Sequence, residues 1–288
     1  MKLDKSKHIL IVGMGLLGGS YAMALTKKGF SVSAITRSQS SIDYALSHGM
    51  IEHGTTAIDP ALIGDADIVI FALYPHIFTE WVRDNQQYFK SGAIITDVTG
   101  VKGCIVPTIQ EMLRPDVEFI AAHPMAGREV SGVQNSDDAI FHGANYVVTP
   151  SEKNTPEAIA LCEELGHTLG FARVATLSPE QHDEIIAFVS QLTHCIAISL
   201  MTCQKTKHLE EYTGNSFRDL TRIARLNDEM WSELFLANRD ALLHQMGLFE
   251  KELDKLRGLL ETGDREGLRE MMRYSTSRRA LFDKNDKL

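Results

Sequence analysis

Residues 8–20 read HILIVGMGLLGGS. The apolar-rich run His8–Val12 leads straight into a glycine, and a helix pattern begins three residues later. The run is too short for a helix, so it reads as a buried strand. Gly13, Gly15 and Gly18 follow in GxGxxG spacing. Alone that spacing is weak, but between a strand and a helix it has a mechanism. Gly13 permits the tight turn, Gly15 lets backbone approach a pyrophosphate, and Gly18 allows close helix–strand packing. The helix start adds free N–H groups and a positive dipole end. Gly13, Met14, Gly15, Leu16, Leu17 and Gly18 are therefore the candidate cradle for a dinucleotide.

Outward from this loop, short apolar runs alternate with amphipathic stretches. Leu16–Lys28 predicts a helix closed by Gly29, and Ser31–Thr36 a second strand. Ser40–His48 predicts a second helix closed by Gly49. Ile68–Leu73, Ala93–Asp97, Val117–Ala122, Tyr146–Thr149 and Phe171–Thr176 predict further strands, with helices at Gly103–Leu113 and Pro156–Leu169. That rhythm implies an α/β fold with a Rossmann-type parallel sheet and helices on both faces. After Ser178-Pro179 only helix patterns remain: Glu180–Lys205, Ser216–Arg225, one very long helix over Asp228–Glu261, and Asp264–Leu281. Two domains are expected, a dinucleotide-binding domain over 1–176 and an all-helical domain over 177–288. So long a helix needs a large surface to pack against; a second copy is the simplest, so a homodimer through these helices is expected. The terminal DKNDKL is expected to fray.

The composition is that of a globular protein: 44% hydrophobic and 23% charged over 288 residues. The net charge of −9 argues against a nucleic-acid partner, which needs a basic surface, but not against a small anion in a local Arg/His pocket. The N-terminus lacks a signal-peptide shape, and no run reaches the ~20 apolar residues that span a bilayer, so a cytoplasmic protein without a membrane partner is expected. Cys104, Cys162, Cys195 and Cys203 form no CxxC and read as buried, reduced thiols. Eleven histidines show no HxxxH or HExxH spacing, so no metal site is expected.

The end of the second strand reads on cofactor choice. NAD-specific sites place Asp or Glu there to hold the ribose hydroxyls. This sequence has Thr36, Arg37 and Ser38, with no carboxylate before Asp43. Arg37 and the two hydroxyls can receive a 2′-phosphate, so the cofactor is NAD or NADP, with NADP at least tolerated.

His123 follows an apolar strand in AAHPMAG, where strand ends face the cofactor crevice. A histidine there can take a hydroxyl proton as hydride leaves the same carbon. Five stretches in order resemble the prephenate/arogenate dehydrogenase family over essentially the whole chain: GMGLLGGS, DVTGVKG (97–103), HPMAGRE (123–129), HDEIIAFVSQLTH (182–194) and FRDLTRIARLNDEMW (217–231). The resemblance implies oxidative decarboxylation of prephenate to 4-hydroxyphenylpyruvate, in tyrosine biosynthesis. It makes His123 the catalytic residue and puts Thr99 in the stretch beside the nicotinamide. It implies that Glu129 shapes the pocket mouth, that His182, Ser190 and His194 line the pocket, and that Arg222 clamps a carboxylate. Their spacing puts His182, Ser190 and His194 on one helical face.

Two departures from the family stand out. Gly100 replaces a serine that supports the catalytic histidine; Thr99 or a water is the expected substitute, and Gly100→Ser is expected to leave activity similar or higher. Gln191 replaces a common histidine in the pocket wall. Arg128 stands where an acid favours the ammonium of arogenate, so prephenate is the expected substrate. With seven residues before the first strand and helices to the end, neither a mutase segment nor a regulatory module is expected. Alternatives are arogenate dehydrogenase, a β-hydroxyacid dehydrogenase-like reductase, and a non-catalytic nucleotide sensor. The reductase would carry a lysine on the first long helix of the second domain, which here has none before Lys205. The sensor would need neither His123 nor Arg222.

Overall fold

The computed structural model describes residues 3–283. Strand β1 (His8–Val12) leads into α1 (Leu16–Lys27), then β2 (Ser31–Ile35), α2 (Gln39–Ser47), β3 (His53–Thr55), α3 (Pro60–Asp65) and β4 (Ile68–Phe71). Next come α4 (Pro75–Asn85), β5 (Ile94–Asp97), α5 (Ile105–Met112) and β6 (Glu118–Phe119). The six strands form one parallel sheet in the order β3-β2-β1-β4-β5-β6. Alternation along each strand feeds two cores. Ile9, Ile11, Ile68 and Ile70 pack with Tyr21 and Leu25 of α1 on one face. Leu10, Val12, Val69 and Phe71 pack with Ile63, Phe78, Val82 and Ile109 of α3, α4 and α5 on the other.

The stretch expected as one strand over Val117–Ala122 changes sheets. Ile120 N–H still donates to Ile95 O at 2.9 Å, but Ala122 N–H is taken by the Asp97 carboxylate at 3.1 Å. The chain continues as β7 (Ala121–Met125), an edge strand of a second sheet with β8 (Asn145–Thr149) and β9 (Arg173–Thr176), α6 (Pro156–Leu169) intervening. Strands β7 and β8 are antiparallel, pairing His123 with Val147, and β8 and β9 are parallel. Pro124 is tolerated because an edge strand does not need every N–H. His123 thus sits inside a strand rather than just beyond one.

Ser178 caps α7 (Pro179–Ile186) with a full capping box, exchanging hydrogen bonds with Gln181. The helix passes through a π-helical stretch, Ala187–Leu192, into α8 (Thr193–Thr202). Pro179–Thr202 is long and apolar enough by composition to cross a membrane, contrary to the sequence expectation. It nevertheless buries His182, Asp183 and Gln191, whose polar atoms are tied to other elements. α9 (Asn215–Thr221) ends in a 3-10 turn, Arg222–Ala224, followed by α10 (Asp228–Ala237) and α11 (Arg239–Glu261). The single long helix expected over 228–261 is therefore two. It breaks at Asn238, which leaves helical geometry (φ −116°, ψ 28°) to donate through Nδ2 to Asp183 O and Gln191 Oε1, at 2.8 and 2.9 Å.

By compactness the chain divides into two units, Met1–Arg239 and Asp240–Leu288. The Asn238, Gln191 and Asp183 bonds tie α10 to the helix that starts at Pro179. In the second unit, Asp264 caps α12 (Arg265–Arg279) by accepting from Gly267 N–H at 2.9 Å, and Gly263 turns the chain at φ +67°. The expected fraying of 283–288 falls, beyond Asp283, outside the described residues. Of the four cysteines only Cys162 is buried; Cys104 and Cys203 are exposed, against the expectation that all are core thiols.

Candidate active site

The glycine loop has the geometry a pyrophosphate needs. Gly13 adopts φ +101°, and a Cβ there would meet Ala72 O at 2.4 Å. A Cβ on Gly18 would fall 1.9 Å from Gly13 O, so the helix packs on the turn only without a side chain. A Cβ on Gly15 would meet nothing within 4 Å, so this backbone is open to a ligand. α1 has no side-chain cap and no acid in its first turn, leaving its first N–H groups for an anion. Met14 points into the core, so only its backbone belongs to the loop; Leu16 and Leu17 are half-buried. Strands β1 and β4 are neighbours at the point where strand order reverses, which is where such sheets hold ligands. At the end of β2, Arg37 is exposed, Thr36 is half-buried, and the Ser38 hydroxyl caps α2 by accepting from Ser41 N–H at 3.2 Å.

Beyond β5 the site is built from side chains. Lys102 is fully buried, and its Nζ donates to Asp97 Oδ2 (2.6 Å), Thr99 Oγ1 (3.1 Å) and Ala122 O (2.6 Å). Burial pulls the Lys102 ammonium below the usual lysine value, opposed by Asp97. This pair ties the end of β5 to the residue before His123. Thr99 is buried and hydrogen-bonds Asp97 and Val101 O. Its hydroxyl is engaged there, and no hydrogen bond among the described residues joins it to His123.

His123 is instead supported from behind. Its Nδ1 lies 2.8 Å from His182 Nε2, and His182 Nδ1 lies 2.7 Å from Asp183 Oδ1. Asp183 also accepts from Lys102 N–H (2.8 Å) and Gly103 N–H (2.7 Å). His182 is only 1% exposed and stands behind His123. The helix that carries His182, Ser190 and His194 widens over Ala187–Leu192, where i→i+5 turns take up an extra residue. Gln191 is also buried, donating to Leu234 O at 3.0 Å. Burial, then the neighbouring His182 and Lys102, hold His123 well below the usual histidine value, leaving a neutral imidazole. Over its Cε1–Nε2 edge lies Gly100, whose Cβ would stand 3.8 Å from both atoms and from Leu234 Cδ2.

A second group forms around α8. Arg222 forms an ion pair with Glu129, both exposed, in the turn that packs on α8. His194 Nδ1 donates to Ser190 O at 2.9 Å, and its ring lies on Trp231 with centroids 3.8 Å apart. Burial lowers the His194 value, Glu129 opposing and Arg222 adding to the shift. Ser190 is half-buried. Arg128 points elsewhere: it donates to Asn135 O (3.0 Å) and pairs with Asp137 (3.5 Å). Asp137 N–H in turn donates to Ser20 Oγ of α1 at 3.0 Å, so Arg128 is held on the cofactor side. Asp97, Lys102, Asp183, Asn238 and Trp231 were not among the sequence candidates. Asp97 and Lys102, two charges closing an apolar strand, were the visible signal. His208, Glu210 and Glu211 bring possible ligand atoms within 4.8 Å of one another but are all exposed.

The family model for the prephenate dehydrogenase nucleotide-binding domain matches residues 21–175, and that for the prephenate dehydrogenase dimerization domain matches 178–274. The chain belongs to the prephenate dehydrogenase family. A family structure from Aquifex aeolicus, in complex with hydroxyphenyl propionate and NAD+, is 30% identical with TM-score 0.90, covering 98% of this chain and all of that one. Prephenate dehydrogenase of Bacillus subtilis is 29% identical over 269 residues, 90% of this chain and 72% of that protein. Cyclohexadienyl dehydrogenase of Zymomonas mobilis is 29% identical over 282 residues, 95% of each.

Proposed function

We infer that this chain is an NAD-dependent prephenate dehydrogenase, oxidising prephenate and releasing its ring carboxylate as carbon dioxide to give 4-hydroxyphenylpyruvate, a step toward tyrosine. The observation that carries the reading is a neutral, half-buried His123 beside the end of β5, next to the strand whose end abuts the glycine loop. When bound, the nicotinamide cofactor accepts hydride from the hydroxyl-bearing carbon. His123 takes the hydroxyl proton. The ring then drains electrons toward the new carbonyl, the ring–carboxylate bond breaks, and aromatisation drives the step. Arg222, with its planar fork of donors, exchanges Glu129 for a substrate carboxylate. Ser190 and His194 lie along the same wall, and Glu129 stands at its mouth.

Prephenate is preferred to arogenate because position 128 offers no acid to an ammonium; Arg128, though paired with Asp137, supplies none. The absence of an acid at 36–38 supports use of NADP as well as NAD. Residues 1–176 serve the dinucleotide and 177–288 serve substrate and dimerisation. Exposed Leu236, Leu243, Leu260 and Met272 supply apolar surface for a homodimer, which light scattering would measure. The protein acts in the cytoplasm, which cell fractionation checks. The central experiment is to follow reduced nicotinamide with prephenate or arogenate and with NAD or NADP. Reduction with prephenate at a higher kcat/KM than with arogenate is expected; no reduction with either ends the proposal.

A further inference from the structure

Only one arrangement of protons satisfies the chain of atoms behind His123. Asp183 Oδ1 can only accept, so His182 Nδ1, at 2.7 Å, carries a hydrogen. Burial lowers the His182 value despite Asp183, so the ring is neutral and its Nε2 is an acceptor. His123 Nδ1, 2.8 Å away, must then be the donor. In a neutral imidazole this leaves His123 Nε2 with a free lone pair, on the edge that faces Gly100. The opposite tautomer of His123 would place a hydrogen on that edge and remove its ability to accept a proton.

We propose that Asp183 and His182 are positioning residues that lock His123 with its Nε2 unprotonated, and that the two imidazoles accept the substrate's proton as one unit. The inference deepens the reading of this site as a prephenate dehydrogenase and rests on it. As the hydroxyl proton reaches His123 Nε2, the proton on Nδ1 passes to His182 Nε2. The positive charge comes to lie on His182, against the Asp183 carboxylate. One proton is gained by the pair, one hydride leaves the substrate carbon, and as carbon dioxide departs the pair returns its proton to the same oxygen, which becomes the product's phenol. The other charges facing the pair are Lys102, which disfavours a cation on either ring, and Asp97, which favours one on His182. Asp183 is itself fixed by two backbone N–H groups, at 2.8 and 2.7 Å. The scaffold thus meets the demand that the family's serine at position 100 would otherwise meet.

Three measurements test this. Nitrogen-15 shifts of the histidine rings in the wild-type protein should show His123 protonated at Nδ1 and bare at Nε2; the reverse pattern overturns the proposal whatever the substrate is. His182→Leu should lower kcat/KM for prephenate about 10- to 100-fold with little change in cofactor KM, since general-base help of this kind contributes ~10²–10⁴-fold. His182→Gln, which keeps an acceptor for His123 Nδ1, should restore part of the loss. In a His123→Ala background, His182→Leu should change the residual rate less than about twofold, because the unit is already broken. An equal loss in both backgrounds, or none in the wild-type background, overturns the proposal. Failure of the wild-type protein to oxidise prephenate would instead count against the substrate assignment.

Discussion

The two ends of the site are made of different materials. The dinucleotide end is made of backbone and of missing side chains: Gly13 at φ +101°, Gly18 pressed on Gly13 O, and a helix start with nothing capping it. The chemical end is made of buried charge: Asp97, Lys102, His182 and Asp183, brought together from two stretches about eighty residues apart to hold a third, His123. A backbone device depends on local sequence and tolerates distant change. A charge device depends on every partner, because removing one strands the others in low dielectric.

That contrast can be broken at several points. The largest effect is expected from His123→Ala, which should cut kcat/KM for prephenate by about 10²–10⁴-fold while leaving cofactor affinity intact. Steady-state kinetics and a cofactor titration together check this. Next is Lys102→Met, which leaves Asp97 buried without its cation; a loss of about 3–5 kcal/mol is expected in a denaturant melt. A melt unchanged within about 1 kcal/mol would mean that the pair is dispensable. Gly13→Ala should cost about 1–3 kcal/mol of strain and weaken cofactor binding, with the His123 ring shifts unchanged.

Smaller effects should follow pH. His123 and His182 are both lowered by burial, so the folded state resists protonation more than the unfolded chain, whose histidines titrate near 6.5. Stability should be fully present above about pH 6.5 and fall as pH drops through the window below it, where the unfolded state binds more protons. The acid limb of kcat/KM should likewise lie below about 6.5. Thermal melts and rate profiles over the same pH series test both. The smallest effect is expected from Gly100→Ser. Its Cβ meets only ordinary contacts at 3.8 Å, so activity should be similar or higher, and a large loss would show that Leu234 and His123 leave no room there.

The same contrast explains what the sequence disclosed. GMGLLGGS could be interpreted residue by residue because each glycine acts on its immediate neighbours. The parallel sheet followed because fully buried strands are apolar along their length. The switch of sheets at Ile120 was hidden, since the cause is a side chain 25 residues earlier, Asp97, taking the Ala122 N–H. The break at Asn238 was hidden for the same reason: apolar spacing continues across it, and the partners that pull it out of the helix are Asp183 and Gln191. His182 was singled out by resemblance, but its bond to His123, 59 residues earlier, cannot be seen from spacing along one helix.

The phase of the helix beyond His182 is set by the wide turns at Ala187–Leu192. They act as a spacer between two clocks running on one axis. Deleting a single residue there would let the segment relax to ordinary α geometry with everything downstream nearly in phase, whereas closing all six residues into α turns would rotate the indole-stacked ring of His194 by roughly 100° relative to the paired imidazoles upstream. The extra residue held in those turns is thus the gear tooth that fixes the register of His194 against the two imidazoles upstream.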